Sequence, residues 1–420
     1  MMRATVLATI DQALLSLLNF ALALALIHFA NKEEYGLYAQ LMTLQSFFSP
    51  VHAGLFVSAY LALAPRMSTA RALAYRNSMA RAEIWVSAGS AVLVALLTYF
   101  GARLFGGPLS WATVLAATAA LVGLWWREFL RQTYFAGLQY RKALYVDIVY
   151  AVTTAIALAL LILNGTVNAT TALWCMVAGA GAAAALPVIS MALASRASLG
   201  EIRADVTASW GVGRWDTLGS CVTWASSQSY VYFAAAFGGL SAAADVSVGR
   251  LLATPLLLLW SSYANVLRPH GVRAMADESD VTVRRLARRS LLFVIGCSAA
   301  YAAALTLVLP FAEHGFFGDK FAHLQLIALL WVAYSMLTGL TTVAASLLRS
   351  ALRFRQVFAL QSLCSVAALA LLALSRSLPG AAAQILALVL AEVISVALLW
   401  QALSQLIRTK AFPEHAVASP

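Results

Sequence analysis

Residues 46–66 read SFFSPVHAGLFVSAYLALAPR, and residues 254–270 read TPLLLLWSSYANVLRPH. Each is an apolar stretch that begins at or near a proline and ends at a second proline beside an arginine. A proline inside a helix removes one backbone hydrogen bond and crowds the carbonyl four residues earlier, at a cost of roughly 3 kcal/mol. Pro50 and Pro255 lie 205 positions apart, and Pro65 and Pro269 lie 204 apart. One costly pattern placed twice at nearly the same offset suggests a chain built from two like halves.

The chain around these stretches is apolar throughout. Of its 420 residues 62% are hydrophobic and only 11% charged, with a mean hydropathy of +0.82. A soluble domain carries about 25% charged residues. The apolar residues fall in runs such as 84–100, 111–126, 150–163, 291–312, 356–375 and 380–400. Several approach the ~20 residues that cross the hydrocarbon of a bilayer. The reading is an all-α polytopic membrane protein. The opening run, MMRATVLATIDQALLSLLNFALALALIHFA, lacks a small-residue cleavage site and is too long for a signal peptide, so it is expected to remain as a first span. Cys175, Cys221, Cys297 and Cys364 each stand alone in an apolar segment, which excludes metal or disulfide spacing.

Spans are expected at about 5–29, 36–64, 83–101, 109–130, 143–163, 171–195, 210–237, 240–267, 290–312, 322–348, 356–376 and 381–406. With this assignment 22 of the 28 Lys and Arg fall on one side of the membrane and 4 on the other. Cytoplasmic loops carry the excess of basic residues, so twelve spans with both termini cytoplasmic are expected. The same confinement of basic residues to membrane-flanking loops explains the net charge of +11 without nucleic acid. The external loops are too short for a catalytic domain. The external sequons at Asn164 and Asn168 match patterns that arise by chance.

Six spans per half give both halves one orientation, so a repeat about the membrane normal is allowed. Pro108 and Pro310, each at the outer end of a span, add a third matched pair. The first span carries Thr5, Thr9, Gln12, Ser16 and Asn19 with spacings that keep them on one helix face, and the seventh carries Asp216, Ser220, Thr223, Ser227 and Tyr230 with the same spacings. Two pseudo-symmetric six-helix lobes follow, 1–200 and 201–420. Pro50 and Pro255 are then equivalent kinks, marking either a transport site or tolerated bends.

Asp11, Asp147, Arg214, Asp216, Asp245, Arg250 and Glu392 lie within or near the ends of spans. An ionised group at the bilayer centre costs at least ~2.5–3.5 kcal/mol, so such groups face protein, a wet cavity or the interface. Arg250 lies well inside the eighth span. Arg127 and Arg131, in WWREFLRQ, share a helix face, and a guanidinium suits phosphate because its planar fork donates two hydrogen bonds. Headgroup anchoring is the other reading of that pair, and Arg214 is placed to snorkel. The expected cavity set is Arg250, Arg214, Arg127 and Arg131 for an anionic substrate. Asp11, Gln12, Asn19, Asp216, Ser220, Thr223 and Asp245 are its polar or coupling wall.

Two segments carry a resemblance. NKEEYGLYAQLMTLQSFFSP, after a polar first span, is similar to the start of polysaccharide-export flippases of the Wzx type. These belong to the multidrug/oligosaccharidyl-lipid/polysaccharide (MOP) superfamily. SYVYFAAAFGGLSAAADVSVGRLLATPLLLLWSSYANVLRPH resembles their seventh and eighth spans, with Arg250, Pro255 and Pro269 matching by position. The resemblance implies a MATE/MOP-like fold in a bacterial cytoplasmic membrane. It implies a transporter, not an enzyme, that moves an undecaprenyl-pyrophosphate-linked oligosaccharide to the periplasmic leaflet by alternating access, as in O-antigen and lipopolysaccharide synthesis. The partners it implies are that lipid-linked oligosaccharide, the bilayer, and glycan polymerase and export machinery. No cofactor is expected, with coupling to an H+ or Na+ gradient left open. The alternative is an ion-coupled multidrug exporter of the same superfamily, with Asp11 or Asp216 as its acidic site. A membrane-embedded polymerase or ligase fits worse, because it needs a large external loop.

Overall fold

The computed structural model describes residues 2–58, 60, 63–64, 67–105, 110–137, 139–276, 280–312, 320–321, 323–351, 353–377 and 380–409. Within these bounds the chain is almost wholly helical. The helices are α1 (Met2–Phe29), α2 (Lys32–His52), α3 (Thr69–Phe105), α4 (Trp111–Ala136), α5 (Tyr140–Leu163), α6 (Ala169–Ala180) and α7 (Leu186–Leu193). They continue as α8 (Leu199–Gln228), α9 (Tyr230–Ala276), α10 (Asp280–Ala312), α11 (Leu324–Ser350), α12 (Phe354–Leu374) and α13 (Ala381–Thr409). Among the described residues nine helical stretches are long and apolar enough to cross a membrane. The apolar part of α1, the run α2 with its continuation, and α8 with the start of α9 complete a twelve-span arrangement. Leu163, Leu186, Leu193 and Phe311 are exposed, as side chains facing lipid are expected to be.

The chain forms two compact units, Met1–Cys221 and Val222–Pro420, with the division inside α8. In unit 1 α3 packs on α4, α4 on α6, and α5 on α6. In unit 2 the equivalent helices make the same pairs, α10 on α11, α11 on α13, and α12 on α13. Unit 2 has two apolar cores, one around Trp260, Leu340, Val343, Leu347 and Leu399, the other around Tyr230, Val246, Trp331, Ile385 and Leu388.

Helix ends follow from local chemistry. Asn31 caps α2 by accepting the Glu34 N–H at 2.8 Å, and Ser110 caps α4 by accepting the Thr113 N–H at 3.2 Å. Asn168 forms a reciprocal capping box with Thr171 at the start of α6. The Glu34 carboxylate accepts the Ala169 N–H at 2.7 Å, so the acidic residue of the EEYGLY segment closes the N-terminus of another helix. Ser198 and Glu201 begin α8 in the same reciprocal way, and the Ser198 N–H and hydroxyl hold the Glu201 carboxyl below its usual range.

The expected seventh span is broken. α8 ends at Gln228 and α9 begins at Tyr230. The turn between the expected seventh and eighth spans lies farther on, at Gly239 (φ 72°, ψ −173°), a conformation that glycine reaches without steric cost. The two matched prolines also behave differently. After Pro50 the ladder widens into a π-turn over Ala53–Ser58. Around Pro255 the dihedrals stay helical, and the Thr254 and Tyr301 hydroxyls donate to the Arg250 and Leu252 carbonyls at 3.0 and 2.5 Å. A second π-turn, Gly181–Ala185, precedes Pro187, which cannot donate to the ladder. Where α8 crosses α2, a Cβ on Gly213 would lie 1.7 Å from the Gly54 carbonyl oxygen, so only glycine permits this approach.

Candidate functional site

Unit 1 contains a cavity of about 430 Å3. α1 supplies Ser16 and Asn19, α2 Gln45, Ser49 and His52, α4 Trp125, Arg127, Glu128 and Arg131, and α5 Tyr150. Arg127 and Arg131, one turn apart, both turn towards Asp147 of α5. Arg127 NH1 lies 3.6 Å and Arg131 NH1 3.7 Å from its carboxylate oxygens, and Asp147 is fully buried. Arg131 also donates to Glu128 at 2.9 Å, while the Arg127 guanidinium stacks on the Tyr150 ring at 4.2 Å. Two positive and two negative charges therefore meet on one wall, a balance that lets charge survive inside a membrane.

Behind the same cavity, His52 Nε2 lies 3.1 Å from each carboxylate oxygen of Glu83 on α3. The His52 ring stacks on Trp125, centroids 4.9 Å apart and planes within 15°. His52 is 3% exposed and Glu83 is not exposed at all.

Unit 2 contains a smaller cavity, about 250 Å3, lined by Tyr334, Thr338, Thr341, Arg349, Gln361 and Glu392 among others. Among the described residues no cation pairs with the Glu392 carboxylate. The Thr338 and Thr341 hydroxyls donate to Glu392 at 3.1 Å each. Arg250 takes a different task. Its NH1 donates to the Ser227 carbonyl at 2.6 Å, to Gln228 Oε1 at 2.8 Å and to the Tyr230 hydroxyl at 3.3 Å. Its guanidinium lies 5.4 Å from the Tyr230 ring centroid and 5.7 Å from that of Trp331. It satisfies the carbonyl end of α8 at the break before α9.

The expected site residues separate accordingly. Arg127, Arg131 and Asn19 come together around the unit 1 cavity. Arg250 and the half-buried Asp245 lie on α9 in unit 2. Arg214 is exposed on α8, and Ser220 is half-buried on the same helix. The side chains of Asp11, Gln12, Asp216 and Thr223 lie outside the described residues. Pro50 borders a π-turn, whereas Pro255 sits in continuous helix. His52, Glu83, Glu128 and Tyr150 were not expected as site residues. His52 and Glu83 are both ionisable residues inside expected spans, which is the signal in the sequence that marks them.

No family model matches the chain, and no curated protein matches it. Solved structures do. An inward-facing multidrug-resistance MATE transporter of the MOP superfamily superposes with a TM-score of 0.74 at 12% identity, over 97% of this chain and 98% of that one. The lipid II flippase MurJ, in an inward closed conformation, superposes with a TM-score of 0.72 at 12% identity, over 98% and 90%. A MOP-superfamily transporter from Pyrococcus furiosus gives 0.58 at 12%, over 97% and 96%. The chain has the MATE/MOP transporter fold, and this matches the twelve-span, two-lobe architecture.

Proposed function

We propose that the protein is a flippase of lipid-linked oligosaccharides in a bacterial cytoplasmic membrane, with both termini cytoplasmic. The substrate class is an isoprenoid pyrophosphate carrying a glycan, as in O-antigen assembly. The observation that carries this reading is the pair Arg127 and Arg131 on the wall of a cavity inside an apolar helical unit. Two guanidiniums one turn apart match a diphosphate, and Glu128 and Asp147 hold them until one arrives. Ser16, Asn19, Gln45 and Ser49 offer hydrogen bonds to sugar hydroxyls. The likeness of 98% of this chain to the lipid II flippase MurJ supports the class of substrate.

The second reading, an ion-coupled exporter of small molecules, draws on Glu392. A buried carboxylate that accepts from hydroxyls in the unit 2 cavity suits exchange of a cation or proton. One experiment separates the two. In a strain whose surface polysaccharide depends on this gene, Arg127→Ala with Arg131→Ala should cut surface glycan on the order of tenfold or more. Undiminished glycan, together with drug sensitivity on deletion of the gene, would sink the flippase reading and favour the exporter.

A further inference from the structure

We propose that His52 and Glu83 form a proton-binding site buried in unit 1. His52 meets the cavity, and Glu83 is the fixed counter-charge behind it. Use of that proton in transport rests on the reading above, whereas its binding does not.

The chemistry follows from placement. A carboxylate accepts hydrogen bonds, so His52 Nε2, equidistant from both Glu83 oxygens, carries a hydrogen. Nδ1 is then the nitrogen that gains or loses the proton. Imidazole is the side chain whose ordinary titration falls near neutrality. The pair carries one negative charge when the ring is neutral and none when it is protonated.

The surroundings make that change matter. α4 brings Arg127, Glu128 and Arg131 to the same cavity, and α5 brings Tyr150 to it and Asp147 against the arginines. α1 contributes the uncharged Ser16 and Asn19, α2 itself Gln45 and Ser49, and α6 Met176. α8, which crosses the π-turn after α2 at Gly54, carries the exposed Arg214. The two arginines cancel Glu128 and Asp147. The proton on His52 therefore decides whether this group of charges is neutral or negative, and a neutral group admits an anion more readily than a negative one.

Trp125 reports the event, because an imidazolium stacked on an indole quenches its emission by accepting an electron from the excited ring. The purified protein would be titrated from about pH 5 to 9, bracketing the imidazole range. Subtracting the emission of Trp125→Phe isolates this one among the eleven tryptophans. The difference signal should fall as pH falls. His52→Gln should abolish the change, and Glu83→Gln should move its midpoint by about one pH unit or more. A difference signal that ignores pH, or that survives in His52→Gln, would leave only a structural clasp between α2 and α3 and overturn the proposal. If the variants fail to fold, ring-15N NMR of the histidine-labelled wild type decides. His52 is the buried histidine among those described, so a soluble paramagnetic agent should spare its signal while broadening the exposed ones. Its nitrogen shifts should titrate across the same range, and constant shifts would overturn the proposal. A working titration with no glycan phenotype would sink only the flippase reading.

Discussion

In unit 1 Arg127, Glu128, Arg131 and His52 line one cavity, with Asp147 and Glu83 buried behind them and each guanidinium facing a carboxylate. In unit 2 the cavity holds Glu392 on two threonine hydroxyls, and Arg250 is tied to a backbone carbonyl and an amide side chain. The helix neighbours repeat between the units, yet the chemistry does not. A repeated scaffold fixes where polar groups can be placed without fixing which ones. Unit 1 solves burial of charge by ion pairing, and unit 2 by hydrogen bonds to neutral groups.

The largest expected effect tests that distinction. Asp147→Leu leaves Arg127 and Arg131 without their shared partner and should cost about 3–5 kcal/mol, as when one member of a buried pair is lost. Glu392→Leu strands neutral hydroxyls and should cost about 1–3 kcal/mol. Unfolding in a common detergent reads both, and equal losses would erase the contrast between the units. Close backbone packing gives the next comparison. At Gly213 an added methyl meets the Gly54 carbonyl, whereas at Gly249 it meets the Ile327 and Trp331 side chains. Gly213→Ala should cost about 3 kcal/mol, at the upper end for overpacking, and Gly249→Ala nearer 1 kcal/mol.

Much of this architecture is written in the sequence, because the length and apolarity of a span are properties of a single segment. The Arg127/Arg131 face is legible for the same reason, being one turn of one helix. Their partner Asp147 was legible as a misplaced charge, but not as the group that both arginines share. The His52–Glu83 pair depends on how α2 meets α3, and a polar stripe search confined to the first and seventh spans passes over it. Arg250 shows a further limit. Its main acceptor is the Ser227 carbonyl, freed by a helix break that no proline or glycine announces. EEYGLY stands out as a motif, while its Glu34 acts on a helix more than a hundred residues away.

The two ends of α8 compare a buried cap with an exposed one. Arg250→Met removes the donor from the Ser227 carbonyl and from Gln228, and should lower stability by about 1.5–3 kcal/mol, the range for hydrogen bonds to charged groups. If Arg250→Met is silent while Arg127→Met is not, Arg250 is a spare cation and the assignment of structural work to unit 2 fails.

At the other end the Glu201 carboxylate is fully exposed, so its effect is the smallest and shows chiefly in its pH dependence. Its folded carboxyl titrates below the ordinary range because Ser198 donates to the ionised form. Such a group adds stability above the unfolded carboxyl value and loses it as pH falls through the lowered folded value. Wild type and Glu201→Gln should therefore differ slightly at neutral pH and converge in acid. Ser198→Ala should still lose about 0.5–1 kcal/mol in acid, because the hydroxyl cap on the Glu201 N–H needs no charge, and somewhat more at neutral pH, where the hydroxyl's donation to the ionised carboxylate is lost as well. A difference between wild type and Glu201→Gln that grows in acid would show that the start of α8 is held by something other than this carboxylate.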